Sequence, residues 1–402
     1  MRVLTEEIST YLEKASWIRR MFEAGIELKH KYGQDRVYDF SLGNPDLPPP
    51  EAVATGLRRI ADRASTPYAL GYMPNAGYPE TRALVAERLS HEQGVGLQAE
   101  DVIMTCGAAG GLNSLFRAVL EQGEDVVCPA PYFVEYGFYA GNHRASLKPV
   151  PCQPHDFRLD LEAIEEAITE RTRVVLVNSP NNPSGRVYSQ EELQGLVRIL
   201  ERKRDEHKRP IFLVSDEPYR FLTYDGAEVA PILPMYEHSV VVSSFSKNLS
   251  MAGERVGYVL VNPAMPEKEE LLNGLVFTNR ILGFVNAPAI GQQVLNHALD
   301  STVDVSVYEQ RRALMQDILD QSGYRVAPPQ GGFYFFPQAP GGDDLSFVQK
   351  LQDERVLAVP GTGFGFPGYF RLTFCVSGEV IENSRQSMAA ALKKATDEAA
   401  GR

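Results

Sequence analysis

The chain has 402 residues, 44% of them apolar, which is ample for a large core and two domains. Its formal net charge of −12 leaves no basic excess to neutralise phosphates, so neither a nucleic acid nor an anionic membrane surface is expected as a partner. Four cysteines without a Cys-x-x-Cys pair or a zinc-like spacing to histidine point to reduced thiols, a cytoplasmic location and no bound metal.

The amino terminus turns acidic at Glu6-Glu7 and reads as no signal peptide, and no run is long enough to cross a bilayer. Apolar positions at Ile8, Leu12, Ala15, Ile18, Met21, Phe22 and Ile26 predict a helix over 6–31. An extended piece, Val37 to Leu42, ends in Gly43-Asn44-Pro45-Asp46-Leu47-Pro48-Pro49-Pro50, where the prolines forbid regular structure. That segment is either a linker or a loop wrapping a site, with Gly43 letting backbone approach a ligand. Helices are predicted over 51–64 and 80–93. Between them the aromatic loop Tyr68 to Pro79 needs a subunit interface or the chain's own core to pack on.

From about residue 100 the order becomes strand, loop, helix, repeated, which implies right-handed crossovers and a largely parallel sheet. The predicted strands are Val102 to Thr105, Asp125 to Cys128, Val174 to Val177, Ile211 to Ser215, Val240 to Ser243 and Val256 to Val261. The alternating charges of 201–209 read as a solvated helix end. Ligands of open α/β sheets bind outside the carboxyl ends of the strands, so the residues directly after each strand matter most. Gly107-Ala108-Ala109-Gly110-Gly111 opens a helix predicted over 110–121 and is either a phosphate site or a tight turn. Asp216, at the end of an apolar strand, is either an anion paired with a cation or a helix cap. Tyr132 and Tyr219 fit a core as readily as a ligand.

The lysine of Ser243-Ser244-Phe245-Ser246-Lys247-Asn248 comes after the β-branched run Val240-Val241-Val242 and lies in a loop between two strands. It is either a solvated loop lysine or an amine whose pKa burial depresses, the form that condenses with an aldehyde. An anion-binding helix start, a carboxylate, amide donors, an aromatic ring and such a lysine together suit pyridoxal 5′-phosphate (PLP).

At these residues the sequence resembles the fold type I PLP-dependent aminotransferases of the aspartate aminotransferase-like class. The motifs are Ser244-Phe245-Ser246-Lys247 with Gly253-Glu254-Arg255-Val256-Gly257, and Asn178-Ser179-Pro180-Asn181-Asn182-Pro183-Ser184-Gly185. Ser215-Asp216-Glu217-Pro218-Tyr219 and Gly363 to Leu372 match as well. The resemblance implies that Lys247 holds PLP as a Schiff base, Asp216 pairs with the ring nitrogen, and Tyr219 and Asn182 bond its oxygen substituent. Tyr132 would stack on the ring. Gly107, Ala108, Ala109, Ser244 and Arg255 would hold the phosphate, although family members often carry a hydroxyl or lysine where Ala108 and Ala109 stand. Tyr72 would reach the neighbouring subunit's phosphate in a homodimer. Arg371 and Asn182 would clamp the substrate carboxylate beside Gly43.

The implied fold is α/β, with a mainly parallel central sheet in a large PLP-binding domain (46–285). A smaller α/β domain would combine residues 1–45 with 286–402. The implied function is two-step transfer of an amino group from an L-amino acid to a 2-oxo acid. A β-lyase or synthase on the same fold is the alternative enzyme. A transcription regulator is the non-enzyme alternative, and the roughly forty residues before Gly43 are too few for a winged helix plus linker.

Overall fold

The computed structural model describes residues 3–14 and 25–400. The helix predicted over 6–31 is present as Glu6–Lys14 and again over residues 25–32; Ala15, Ile18, Met21 and Phe22 lie outside the described residues.

Seven strands form the central sheet in the order β2-β8-β7-β6-β5-β3-β4. They are β2 (Val102–Thr105), β3 (Asp125–Ala130), β4 (Ser146–Pro151), β5 (Thr172–Asn178), β6 (Phe212–Asp216), β7 (Ser239–Ser244) and β8 (Gly257–Val261). Only β8 runs antiparallel to its neighbours. Strand β1 (Tyr38–Asp39) pairs elsewhere, with β10 (Val356–Leu357).

Both faces of the sheet are covered, which is why its strands read as unbroken apolar runs. On β5, Val175 and Val177 enter one core while Val174 and Leu176 enter the core on the opposite face. On β7, Val241 divides from Val240 and Val242 in the same way. The six predicted strands are present. The seventh, β4, escaped sequence reading because it is the sheet edge: four of its six residues are polar or proline, and most of it faces solvent. Prolines are tolerated there since an edge strand has one row of unpaired amides.

A further core surrounds the antiparallel strands β9 (Tyr334–Phe335), β11 (Val359–Pro360) and β12 (Phe370–Thr373), with the helices Val305–Ser322 and Asp344–Asp353. Phe40, from the amino-terminal extended piece, belongs to this core. The helix Ala289–Ala298 instead packs along Glu51–Arg63, beside the large sheet. No described helix is long and apolar enough to cross a membrane.

Candidate active site

Strand register brings the chemistry together. Asn178 and Asp216, the last residues of β5 and β6, are paired neighbours. Asn178 binds both sides of the site: its Nδ2 donates to Asp216 O at 2.8 Å and its Oδ1 accepts from Asn182 N at 2.7 Å. At the other end of the sheet Gly257 of β8 faces Thr105 of β2 and Ser244 of β7. A Cβ on Gly257 would sit 2.8 Å from Ala108 N, so glycine there lets the helix start approach the sheet.

The helix after β2 is Gly107–Val119, three residues longer at its start than predicted. Gly107, Ala108 and Ala109 therefore form the first turn, where amides have no intrahelical acceptor, and no side chain caps them. Gly107 has a φ of 68°, and a Cβ there would lie 2.9 Å from the Arg255 guanidinium.

A cavity of about 270 Å³ opens between these strand ends and the β9–β12 region. Of the expected site residues, Gly43, Ala108, Ala109, Asn182, Asp216, Tyr219, Lys247 and Arg371 line it. Gly107 and Arg255 lie together at the helix start, and Ser244 lines an adjoining cavity. Tyr72 is 93% exposed in its loop.

Tyr132 needs correction: it does not line the cavity, whereas the next residue, Phe133, does. The Tyr132 amide donates to Phe364 O at 3.1 Å, and its ring lies where a Cβ on Gly365 would stand. Sequence reasoning also missed Glu135, Tyr136, Tyr139 and Tyr334 in the lining. Phe133, Tyr136 and Tyr139 recur at a spacing of three after β3, the available signal of one helical face turned to the site.

Lys247 Nζ donates to Gly43 O at 2.8 Å and lies 5.5 Å from the centre of the Phe333 ring. Burial pushes its ammonium down to about 8; Arg371 and Arg255 push the same way, while Cys375 opposes them. Asp216 is fully enclosed, and burial raises its carboxyl to about 7 despite a 2.5 Å hydrogen bond from Tyr136 Oη. Tyr219 and Tyr334 share a hydrogen bond of 3.1 Å between their hydroxyls, and burial holds both phenols protonated. Arg371 is sandwiched between the Tyr334 and Phe364 rings, 4.7 and 4.8 Å from their centres. Its Nη1 donates to Asn182 Oδ1 at 3.0 Å and its Nη2 to Ser41 O at 2.6 Å; none of the described ion pairs involves it. Three sealed side-chain atoms of the lining meet no partner: Asp216 Oδ1, Arg371 Nε and Glu135 Oε2.

The sequence profile of the family described as "Aminotransferase class I and II" matches residues 35–387. The chain belongs to this family. It is 32% identical over 379 residues to the aspartate/prephenate aminotransferase of Thermus thermophilus, covering 92% of this chain and 94% of that one. An aminotransferase structure from Eubacterium rectale superposes with a TM-score of 0.94 at 38% identity, over 98% of this chain and 99% of that chain. The aspartate aminotransferase structure from Thermotoga maritima gives 0.85 at 28% identity, over 97% and 100%.

This aminotransferase is thus an enzyme of the PLP-dependent class, acting on amino and 2-oxo acids. Its cavity suits that cofactor on three counts. A buried carboxylate oxygen awaits a cationic partner, a lysine is held close to its neutral form, and a helix start with uncapped amides lies beside an arginine.

Proposed function

We propose that the aminotransferase works through the residues gathered at the strand ends, in two half-reactions that share one cavity. One observation carries this reading: a lysine pushed down to about 8 shares a cavity with a sealed carboxylate oxygen that has no partner.

Lys247 would hold the cofactor's aldehyde carbon, Asp216 Oδ1 its ring nitrogen, and Tyr219 and Asn182 its ring oxygen. Gly107, Ala108 and Ala109 amides, with Ser244 and Arg255, would hold the phosphate. Phe133, in the lining, takes the ring-covering position. When bound, PLP supplies the electron sink that lets a bond at the α-carbon ionise.

The remaining work falls to the chain. Arg371 binds the substrate carboxylate through a guanidinium that the two flanking rings already orient. Asn182, which accepts from Arg371 Nη1, keeps that fork in plane. Lys247, freed as a neutral amine when the substrate's amino group replaces it on the aldehyde carbon, would remove the α-proton and deliver it to that carbon. Gly43 O holds Nζ in place between these transfers. Asp216, as an anion, keeps a proton on the nitrogen it faces, and Tyr136 steadies its other oxygen. Leu42 and Phe133 exclude water.

A homodimer belongs to the same reading, with exposed Tyr72 reaching the other subunit's phosphate. So does a cytoplasmic location, supported by four free cysteines. The two-domain division assigns 46–285 to cofactor binding and the terminal segments to a smaller unit; Phe40 joining the carboxyl-terminal core supports it, while the helix Ala289–Ala298, packed beside the large sheet, moves the second boundary past that helix.

The test is an amino acid supplied alone. The expected result is one equivalent of 2-oxo acid per subunit, then arrest until a second oxo acid is added. Continuous turnover with ammonia release would assign a lyase instead. Lys247→Ala should abolish both half-reactions and the covalent retention of PLP while leaving the fold intact.

A further inference from the structure

The cavity contains a carboxylate for which the roles above have no use. Glu135 begins the short helix Glu135–Gly141, beside Tyr136 and one turn before Tyr139, and its side chain faces the same lining. Its Oε2 is sealed from solvent and meets no partner. Leaving a buried acceptor unmet is costly, so such an atom in a binding cavity marks a place where a ligand donor belongs.

The nearest cation does not satisfy it. Arg371 is close enough for each group to feel the other's charge, yet its Nη1 and Nη2 are committed to Asn182 Oδ1 and Ser41 O. Burial raises the Glu135 carboxyl, while its own backbone amide and then Arg371 pull it back.

The lining holds two cations, Lys247 and Arg371, and both are committed in the proposed roles. Beyond them a bound amino acid meets apolar wall from Leu42, Leu112 and Phe133, the phenol of Tyr139, and Glu135. Among the described residues no third cation lines the cavity to receive a second carboxylate, and a like charge in a low-dielectric cavity is repelled more strongly than in water.

Resting on the assignment of Arg371 to the α-carboxylate, we infer that Glu135 is a specificity-determining residue. It selects amino donors whose side chain ends in a hydrogen-bond donor, an ammonium above all, and it disfavours a distal carboxylate. The substrate class so named is the basic α-amino acids rather than the acidic ones.

The experiment uses the PLP-loaded enzyme and pairs of matched length. Ornithine and glutamate are compared as donors by kcat/KM, with norvaline as the uncharged control. In parallel, 5-aminopentanoate and glutarate, which lack an α-amine, are compared by calorimetry for affinity to enzyme whose PLP has been reduced onto Lys247 with borohydride, so that no amine can condense with it.

Wild-type enzyme should favour ornithine over glutamate, and 5-aminopentanoate over glutarate, by at least about tenfold, the size of one charge-assisted contact. Glu135→Gln should erase most of both preferences while leaving norvaline turnover and PLP content unchanged. A wild-type preference for glutamate and glutarate would overturn the inference. So would a Glu135→Gln variant that slows all three donors alike or loses PLP, since that describes a structural carboxylate. Failure of the wider mechanism is read separately. Full turnover by Lys247→Ala would remove the proposed roles of the lysine without altering the two calorimetric affinities.

Discussion

Tyr136 Oη donates to Asp216 Oδ2 at 2.5 Å while Asp216 Oδ1, in the same sealed carboxylate, has no partner. One oxygen is thus fixed by the protein and the other left for a cation. The hydrogen bond favours the anion against burial, which otherwise drives the carboxyl upward. Tyr136→Phe should therefore raise the Asp216 pKa further and weaken its hold on a proton at the ring nitrogen. A hydrogen bond to a charged group contributes about 1.5–3 kcal/mol, so kcat/KM should fall by roughly ten- to a hundredfold. PLP content should stay near normal, and the acidic limb of the pH profile should move up. An unchanged profile would show that Tyr136 merely fills space.

Arg371 offers a second test because it lies buried with no carboxylate in hydrogen-bond reach. Had it served a buried structural ion pair, Arg371→Ala would cost ~3–5 kcal/mol of stability. With only a carbonyl and an amide oxygen as partners, the variant should keep PLP and nearly its melting temperature. The loss should fall on substrate binding, at least ~2 kcal/mol in kcat/KM for every amino acid. Arg371→Lys should recover part of it, since an ammonium cannot form two parallel bonds. Unfolding of Arg371→Ala would return the residue to the structural class.

How far the sequence disclosed this site depends on where each residue sits. Asp216 ends an apolar strand and Lys247 and Asn182 come within a few residues of the ends of two others, and strand order alone sends such positions to one edge. Arg371 was legible because a guanidinium inside Tyr369-Phe370-Arg371-Leu372 is conspicuous in an apolar strand. Tyr132 and Phe133 could not be told apart: both are aromatic, both come after β3, and the contact of Tyr132 with Gly365 comes from a segment more than two hundred residues away. Tyr334 was hidden for the same reason, since its place beside Tyr219 arises from β9 joining β12. Edge strand β4 carries lysine and prolines where a buried strand has valines, so periodicity had nothing to register.

Gly43 predicts an effect out of proportion to one methyl group. A Cβ there would lie 1.8 Å from Tyr334 Oη, so either the phenol or the Gly43 carbonyl must move. The carbonyl holds Lys247 Nζ, and the phenol holds Tyr219. Gly43→Ala should lower kcat at least about tenfold, the scale expected when a reacting group is misplaced by an ångström. Global stability should fall by no more than the ~1–3 kcal/mol of an overpacked site. Adding Tyr334→Phe, which removes the clashing oxygen, should restore part of the turnover. If the double variant is no better than the single one, the steric account is wrong.

Lys247 governs how the empty site responds to pH. Its ordinary value of 10.5 is lowered to about 8 by burial first, then by Arg371 and Arg255. In apoprotein the neutral amine should therefore appear with a midpoint near pH 8, and the rate of covalent PLP capture should rise through that midpoint and level off above it. Arg255→Met removes a positive charge that disfavours the ammonium, so the midpoint should move up while the first-turn amides remain. The sign for stability comes from the same shift. Between about 8 and 10.5 the unfolded lysine binds more protons than the folded one, so this group's contribution to apoprotein stability increases with pH across that window. Asp216 acts in the opposite direction at lower pH: its folded value, raised from 3.8 to about 7, makes the apoprotein lose stability as pH rises through that range. Asp216→Asn, which stays neutral, should cancel that loss, so the apo variant should melt higher than apo wild type at pH 8, with the gap closing below about pH 4. Urea melts across the pH range, run with Lys247→Met and Asp216→Asn, separate the two groups. A capture midpoint near 10 would mean that Lys247 is solvated and that burial does not prepare it for the aldehyde.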